Sequence, residues 1–306
     1  MQATAQAIAQ STIQATKRVS THLLVIDPQN DFCDLPPDVL PRDSVSGQTI
    51  TPALPVAGAH ADMLRVATLI RRAGQRLDAI TVTLDAHHRI DIAHPGFWHD
   101  RDGLPPTPFT QISADQVRAG DYRTARAEDL PRALDYLDAL EASELYRLII
   151  WPVHCEIGSW GQNIHFAVRA AYNEWEIQQQ RSVGKVLKGA NPWTEHYSAV
   201  QAEVPDLGDP ATAANTALLA SLARADTVYI AGEAGSHCVK ATTEHIVATL
   251  TPHQCARLVL ITDCISPVSG FESQQSDFFA AMQARGVRLA TCAEVTAELL
   301  DQPVEV

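Results

Sequence analysis

The segment TVYIAGEAGSHCVKATTEHIVATL, residues 227–250, joins a strand pattern to a helix pattern. TVYIAG is apolar and β-branched like a buried strand, whereas KATTEHIVATL carries apolar residues at helical spacing. Cys238 therefore falls at a strand-to-helix turn. Such a turn leaves backbone N–H groups free, and the first turn of a helix stabilises negative charge, so both features favour a thiolate. A lone cysteine is more often a buried small hydrophobe, and the rest of the sequence has to separate these two interpretations.

The same strand-then-helix alternation continues through most of the chain. Apolar, β-rich runs occupy residues 21–27, 77–85, 146–153, 227–232, 257–263 and, more weakly, 287–291. Helical spacing of apolar residues is found at 61–74, 163–177, 215–225, after Cys238 and at 276–286. This alternation predicts a three-layer α/β/α fold with a mostly parallel, doubly wound central sheet of the Rossmann type.

Composition limits the class of protein. The chain has 306 residues, 46% of them hydrophobic, and a formal net charge of -13 without a basic run, which argues against nucleic acid or anionic membrane as a partner. No apolar run is long enough to cross a bilayer, and the N-terminus does not resemble a secretory signal. The six cysteines form no CxxC pair, which favours reduced thiols. We therefore expect a cytoplasmic protein, a homo-oligomer, that acts on a small molecule.

Three stretches depart from the alternation. Residues 1–20 are rich in Ala, Gln and Thr and are predicted to be a tail or an oligomer-contact helix. Residues 34–56 and 95–131 are rich in Pro, Asp and Gly, which is typical of long loops or insertions. The remaining chain, 21–306, is expected to form a single α/β domain that carries these two insertions.

The residues that end the predicted strands are chemically unusual. They are Asp27, Asp85, His154 and the turn that holds Cys238. Ligands of doubly wound sheets bind beyond the carboxyl ends of the strands. We therefore expect two acids, an imidazole and a thiol to meet at one edge, delivered by four separate strands.

A metal site is the first chemical interpretation of this edge. TLDAHH places Asp85 and His87 two residues apart, where alternate strand side chains point the same way. With His94 and His154 they make a set of nitrogen and oxygen ligands that suits Zn, Fe or Mn. The alternative is that Asp85 caps a turn and the histidines are surface or hydrogen-bonded core residues.

Lysine is scarce, with four residues against nineteen arginines, and Lys188 precedes a glycine in VGKVLKG. A cation beside a thiol lowers the thiol pKa, and a nearby carboxylate can accept the proton. Asp27, Lys188 and Cys238 together would thus form a nucleophile with its own base and counter-charge. Taken alone, a lysine is more often a solvated surface charge.

These residues lie in segments that resemble the ordered motifs of the nicotinamidases, within the isochorismatase-like cysteine hydrolases. The matching segments are LLVIDPQNDFCD, TLDAHH, WPVHCEIGSWG, VLKG and GEAGSHCVKAT, in family order between about residues 21 and 270. The resemblance implies an isochorismatase-like fold. It also implies a metal-containing cysteine amidohydrolase that converts a small carboxamide, nicotinamide first of all, to carboxylate and ammonia through a thioester. A related amidase for another amide or ureide, and a non-catalytic ligand-binding member of the fold, remain as alternatives.

The resemblance assigns roles residue by residue. Asp27 is implied as general base, Lys188 as the cation beside the thiol and Cys238 as nucleophile, with the Ala234 and Cys238 amides as oxyanion hole. The implied ligands of one divalent metal (Zn, or Fe or Mn) are Asp85, His87, His154 and, as the fourth, His94, with His88 and His99 as alternatives. Phe32 is implied to pack against the substrate ring, and Trp98 and Trp160 are expected to shape the pocket as lid residues.

Overall fold

The computed structural model describes residues 19–301. The predicted N-terminal tail or oligomer-contact helix, 1–20, therefore lies outside the described residues except for its last two positions. The strands are β1 Thr21–Ile26, β2 Ala79–Asp85, β3 Trp98–Asp100, β4 Gln111–Ile112, β5 Tyr122–Thr124, β6 Leu148–Ile149, β7 Gly184–Lys188, β8 Thr227–Gly232, β9 Leu258–Ile261 and β10 Arg288–Ala290. The helices are α1 Ala59–Ala73, α2 Ala114–Arg118, α3 Leu130–Ala142, α4 Phe166–Gln179, α5 Thr216–Ala223, α6 Cys238–Ala248, α7 Pro252–Cys255, α8 Glu272–Ala284 and α9 Cys292–Asp301.

A six-stranded parallel sheet organises the molecule, in the order β10-β9-β8-β1-β2-β7. Helices cover both faces of the sheet, with α1 packed on α4 and α9, and α6 packed on α8. The predicted three-layer, doubly wound α/β fold is confirmed. The chain runs outward in one direction from β1 through β2 to β7, and in the other from β8 to β10. The switch point, where such folds bind ligands, therefore lies between β1 and β8.

One predicted strand of the sheet is wrong. Of the apolar run 146–153 only Leu148–Ile149 is extended, and it pairs antiparallel with β4 outside the main sheet. The edge position beside β2 belongs instead to β7, Gly184–Lys188, most of which is exposed to solvent. A run of apolar residues reports burial, and these residues are buried by packing around loops rather than by sheet pairing.

The two predicted insertions differ in structure. Residues 34–56 are mostly irregular, with one 3-10 turn at Pro37–Val39 and a bridge between Arg42 and Thr49. Residues 95–131, expected to be a long loop, contain β3, β4, α2 and β5, and β3 pairs with β5. Within the described range 19–301, no helix is both long and apolar enough to span a membrane.

Candidate active site

The turn between β8 and α6 brings backbone very close to β1. Gly232 has φ +121°, and a Cβ there would lie 2.0 Å from the carbonyl oxygen of Ile26, so only glycine fits. The peptide bond between Glu233 and Ala234 is cis. Cys238 then opens α6. Within residues 19–301 neither the Ala234 nor the Cys238 N–H donates a hydrogen bond, which leaves both groups available to a ligand.

Lys188 is the centre of the site. Its ammonium lies 2.9 Å from Oδ2 of Asp27 and 3.1 Å from Oδ1 of Asp85. It also donates to the carbonyl of His196 at 3.0 Å and to Sγ of Cys238 at 3.6 Å. All of these side chains are buried. The structure thus brings together the predicted base, cation and thiol at the switch point of the sheet.

Asp27 is held in a constrained backbone conformation directly after β1. Its φ is +44°, a left-handed value that is uncommon outside glycine and is often found at functional sites. The Asp27 N–H donates to Oγ1 of Thr83 at 3.0 Å, and that hydroxyl donates to Oδ1 of Asp27 at 2.5 Å. Thr83 therefore fixes both the backbone and the carboxylate of Asp27.

Burial sets the proton affinities of these groups. Desolvation raises the pKa of Asp27 although the Lys188 charge opposes it. Desolvation likewise raises the pKa of the Cys238 thiol well above its usual range, again against Lys188. For Lys188, burial alone would lower the pKa, but Asp27 and Asp85 raise it well above its usual value. The thiol therefore rests protonated beside a permanent cation, and a carboxylate of raised pKa is a stronger base for it.

The predicted metal ligands form a second cluster that shares Asp85 with the first. Oδ2 of Asp85 lies 3.0 Å from Nε2 of His87 and 3.5 Å from Nε2 of His154, and the three side chains can offer ligand atoms within 4.8 Å of one another. The ring centroid of His94 lies 5.2 Å from that of His87 and 5.4 Å from that of His154. His88 is exposed and His99 lies on β3, so of the alternatives the structure places His94 with the cluster.

The histidine tautomers suit a cation. The Nδ1 atoms of His87, His94 and His154 face acceptors, namely Oδ2 of Asp91 at 3.2 Å, the His88 carbonyl at 3.1 Å and the Pro152 carbonyl at 2.8 Å. Donation from each Nδ1 would leave Nε2 to face a cation, as in metal-bound histidines. Burial would lower the pKa of His87, but Asp85 and Asp91 raise it well above its usual value, so a metal there would replace a proton. Nε2 of His94 is buried without a partner, and burial lowers the pKa of His94 to about 4, so its ring is neutral. These residues fit a divalent transition metal.

A narrow cleft opens onto Cys238. Its apolar and aromatic lining includes Phe32, Trp151, Tyr197 and His237, and His154 meets the ring of Phe32 edge-on with centroids 5.4 Å apart. The predicted lid residues do not line it. Trp98 is fully buried and donates to the Ile92 carbonyl, and Trp160 lines a separate surface groove with Leu35 and Phe166. Tryptophan content in an insertion gives no direction for the ring.

Solved nicotinamidase structures have this architecture. The yeast nicotinamidase has a TM-score of 0.55 at 20% identity, covering 88% of this chain and 99% of that chain. The Acinetobacter baumanii nicotinamidase/pyrazinamidase has a TM-score of 0.57 at 19% identity, covering 91% and 99% of the two chains. The chain has the nicotinamidase fold. No protein-family model matches the sequence. No curated protein matches it either.

Two residues to which the sequence assigned no role, Gln29 and Asp31, hold the site together. The Gln29 side chain donates to the Asp85 carbonyl and accepts from the Asp85 N–H, both at 2.7 Å. Asp31 accepts from the N–H of Cys155 at 2.6 Å and so fixes the loop that carries His154. The signal was present in PQNDF, where buried polar residues directly follow a strand, but polar residues after a strand are usually assigned to a turn.

Proposed function

We propose that the protein is a metal-containing cysteine amidohydrolase that converts nicotinamide to nicotinate and ammonia. The observation that carries the proposal is the position of the Lys188 ammonium, which contacts Sγ of Cys238 and the Asp27 carboxylate at once. A thiol, a base and a cation in one buried cluster are the parts of an activated nucleophile. Binding alone would need none of the three.

The reaction follows from these positions. Asp27 removes the proton of the Cys238 thiol, and the thiolate attacks the carboxamide carbon while Lys188 remains charged. The Ala234 and Cys238 N–H groups stabilise the oxyanion. The C–N bond breaks as Asp27 returns its proton to the leaving nitrogen, which departs as ammonia. Asp27 then takes a proton from water as that water attacks the thioester. The C–S bond breaks, the Cys238 thiolate regains the proton from Asp27, and the product acid ionises to the carboxylate.

Asp85, His87, His94 and His154 are the residues that would hold the metal. A divalent transition metal there would supply a Lewis-acid position for a ring nitrogen of the substrate. The chain's own residues orient the ring as well, because Phe32 and Trp151 present aromatic faces and edges along the cleft.

Solved structures of similar fold support a small heteroaromatic substrate. The yeast nicotinamidase has been crystallised with nicotinaldehyde, at a TM-score of 0.55, 19% identity and coverage of 89% of this chain and 99% of that chain. The L. infantum protein has been crystallised with nicotinate, at a TM-score of 0.52, 18% identity and coverage of 90% and 94%. The aromatic residues Phe32 and Trp151 that line the present cleft are side chains suited to contact a flat ring.

One observation favours a second candidate, an amidase for another small amide or ureide. Glu195 lines the cleft, and its buried Oε2 has no hydrogen-bond partner. Burial raises the pKa of this carboxyl group. An additional N–H on the substrate, as in a ureide, would satisfy Oε2, whereas nicotinamide offers only its carboxamide N–H groups.

Ammonia release from a panel of nicotinamide, benzamide and N-carbamoylglycine tests the proposal. We expect nicotinamide to be preferred, and a preference for the ureide would support the second candidate. Cys238→Ser should lower kcat by roughly 10⁴-fold or more because a serine hydroxyl is far harder to deprotonate. Cys255→Ser is the matched control, a buried cysteine outside the cleft. Full activity of Cys238→Ser, or release from none of the amides by the metal-loaded protein, would contradict the proposal.

A further inference from the structure

Behind the β8–α6 turn lie two buried acids that the proposed reaction does not use. Glu233 immediately precedes Ala234, and Asp62 lies on α1. Glu233 is 0% exposed and Asp62 is 4% exposed. We call Glu233 and Asp62 the acid pair. Buried carboxyl groups are costly unless they are paired, so this pair needs an explanation.

Ser266 links the acid pair to the β8–α6 turn by hydrogen bonds. The Ser266 N–H donates to Oε2 of Glu233 at 3.2 Å, and its hydroxyl donates to Oδ2 of Asp62 at 2.6 Å. Its carbonyl accepts from the Gly235 N–H at 2.8 Å. Three atoms of Ser266 thus connect the acid pair to the residue that follows Ala234. A shift of either carboxyl group would therefore displace Ser266 and, with it, the backbone of Gly235 in the turn before Cys238.

The charges around the acid pair do not neutralise two anions. Arg65 donates to Oδ1 of Asp62 at 2.8 Å, but its side chain is 45% exposed. The other titratable neighbours of the pair are Asp34 and Cys33, on the loop after β1, and Asp263 and Cys264, after β9. None of these is a cation. Two buried carboxyl groups this close resist ionising together, because one half-exposed guanidinium balances a single negative charge.

Oε1 of Glu233 indicates which of the two carboxyl groups retains a proton. This buried oxygen finds no donor among the described residues, and the Glu233 and Asp62 carboxyl groups lie within hydrogen-bonding reach of each other. Two acceptors that face each other become a hydrogen bond when one of them carries a proton. Asp62 already receives the Ser266 hydroxyl and the Arg65 guanidinium, so it is the better anion.

We propose that Glu233 is a neutral carboxylic acid that donates to Asp62, and that this shared proton positions the Ala234 N–H for the oxyanion. The positioning part rests on the proposed amidase function, whereas the shared proton does not. Glu233 is a positioning residue, since it acts through the backbone and does not touch the substrate. Burial, together with the charge of Asp62, raises the pKa of Glu233 well above its usual range.

The sign of the pH dependence follows from the raised pKa. The folded protein retains a proton on the acid pair that the unfolded chain loses above its ordinary glutamate pKa. The stabilisation is fully present at acidic pH and is lost as pH rises through the folded-state pKa. Alkaline pH therefore removes the hydrogen bond between Glu233 and Asp62 and leaves two anions behind the turn.

The experiment compares Glu233→Gln, Glu233→Ala and wild type, with the exposed Glu174→Gln as a matched control. Glutamine keeps a donor for Asp62 and an acceptor for Ser266 but cannot ionise. Between pH 7 and 10 we expect Tm to fall less in Glu233→Gln than in wild type, by about 2–4 °C, and Glu174→Gln to follow wild type. If Tm changes equally with pH in Glu233→Gln and in wild type, the proposal of a shared proton is wrong.

Kinetics test the positioning part. Glu233→Ala should lower kcat roughly 10²-fold with little change in KM, because a displaced oxyanion donor acts on the transition state. Glu233→Gln should restore most of kcat at neutral pH. If Glu233→Ala does not fold, a large kcat loss in well-folded Glu233→Gln would itself overturn the proposal, as would unchanged kcat in folded Glu233→Ala. A wild type without amidase activity would refute the proposed function and leave the Tm comparison decisive for the proton.

Discussion

Lys188 shows how a single residue organises the candidate site. Its ammonium contacts two carboxylates, a carbonyl and a thiol, and it is 3% exposed. A compact ammonium suits this arrangement, whereas the planar fork of an arginine favours two parallel acceptors. The same ion also balances the negative charge of Asp27 and Asp85, which makes two buried carboxylates tolerable so close together.

Asp91 gives a test of the proposed metal site that leaves the proposed ligands in place. Its buried carboxylate receives Nδ1–H of His87 and thereby directs Nε2 toward Asp85 and His154. Asp91→Asn should lower zinc affinity about 10- to 100-fold, as removal of outer partners of metal ligands commonly does. Zinc titration with a competing chelator measures the effect, and His154→Ala should lose binding more severely. Equal affinity of Asp91→Asn and wild type would contradict the assignment of His87 as a ligand.

At the residue scale the sequence predicts the reactive groups better than the walls of the cleft. Asp27, Asp85 and Cys238 are recognisable because each follows or ends a strand, and parallel strands bring these positions together. The aromatic wall depends on side-chain direction within loops, which no periodicity encodes. Trp151 lines the cleft although Trp98 and Trp160 were predicted to do so.

Strand β7 ends at Lys188 and places its side chain in the site, and Gly189 follows directly. Gly189 has φ +82°, and a Cβ there would lie 2.7 Å from Oδ1 of Asp85 and 3.2 Å from Cε1 of His87. Gly120 is a matched control, because its φ is +79° and nothing lies within 4 Å of its Cβ position. Both alanine variants carry a backbone cost of about 1–2 kcal/mol.

We expect Gly189→Ala to be the more destabilised variant, and to lose zinc affinity and amidase activity as well, because its methyl group displaces Asp85 and His87. Gly120→Ala should lose stability alone. Urea unfolding, zinc titration and ammonia release on both variants make the comparison. Similar losses in the two variants would show that the space around Gly189 is not needed by the site.

The comparison of β7 with residues 146–153 explains why one strand was missed. β7 is an edge strand with two lysines and little burial, so it carries no apolar run. Residues 146–153 are apolar because they pack in the core, while most of their backbone is not paired in the sheet. Central strands such as β1 and β8 are both apolar and paired within the sheet, so they could be predicted from sequence.

At the scale of the whole molecule, buried neutral histidines make stability depend on pH. His22 on β1 contacts Oγ1 of Thr81 at 2.8 Å, and burial, aided by the Arg224 charge, lowers the pKa of His22 to about 4. Unfolded histidine titrates near 6.5, so the unfolded chain binds the extra proton between these values. The contribution is fully present above pH 6.5 and is lost as pH falls toward 4.

Replacing His22 should therefore reduce the acid sensitivity of folding. We expect the free energy of unfolding of His22→Gln to change less between pH 6.5 and 4.5 than that of wild type, by at most roughly 1.4 kcal/mol per pH unit for one proton. The exposed His253→Gln serves as control. Urea unfolding at several pH values measures the difference, and parallel curves for all three proteins would contradict a neutral His22.

Asp85 belongs to both clusters, with Oδ1 beside the Lys188 ammonium and Oδ2 beside the imidazoles of His87 and His154. A carboxylate carries a single negative charge. A cation bound beside Oδ2 would therefore weaken the electrostatic attraction between Asp85 and the Lys188 ammonium. Thermodynamic reciprocity then requires that whatever metal loading does to the acidity of the thiol, ionisation of the thiol does to metal affinity. With a metal bound, the ion and the proposed nucleophile would form one titrating system, and exchanging the metal would change the acidity of the thiol.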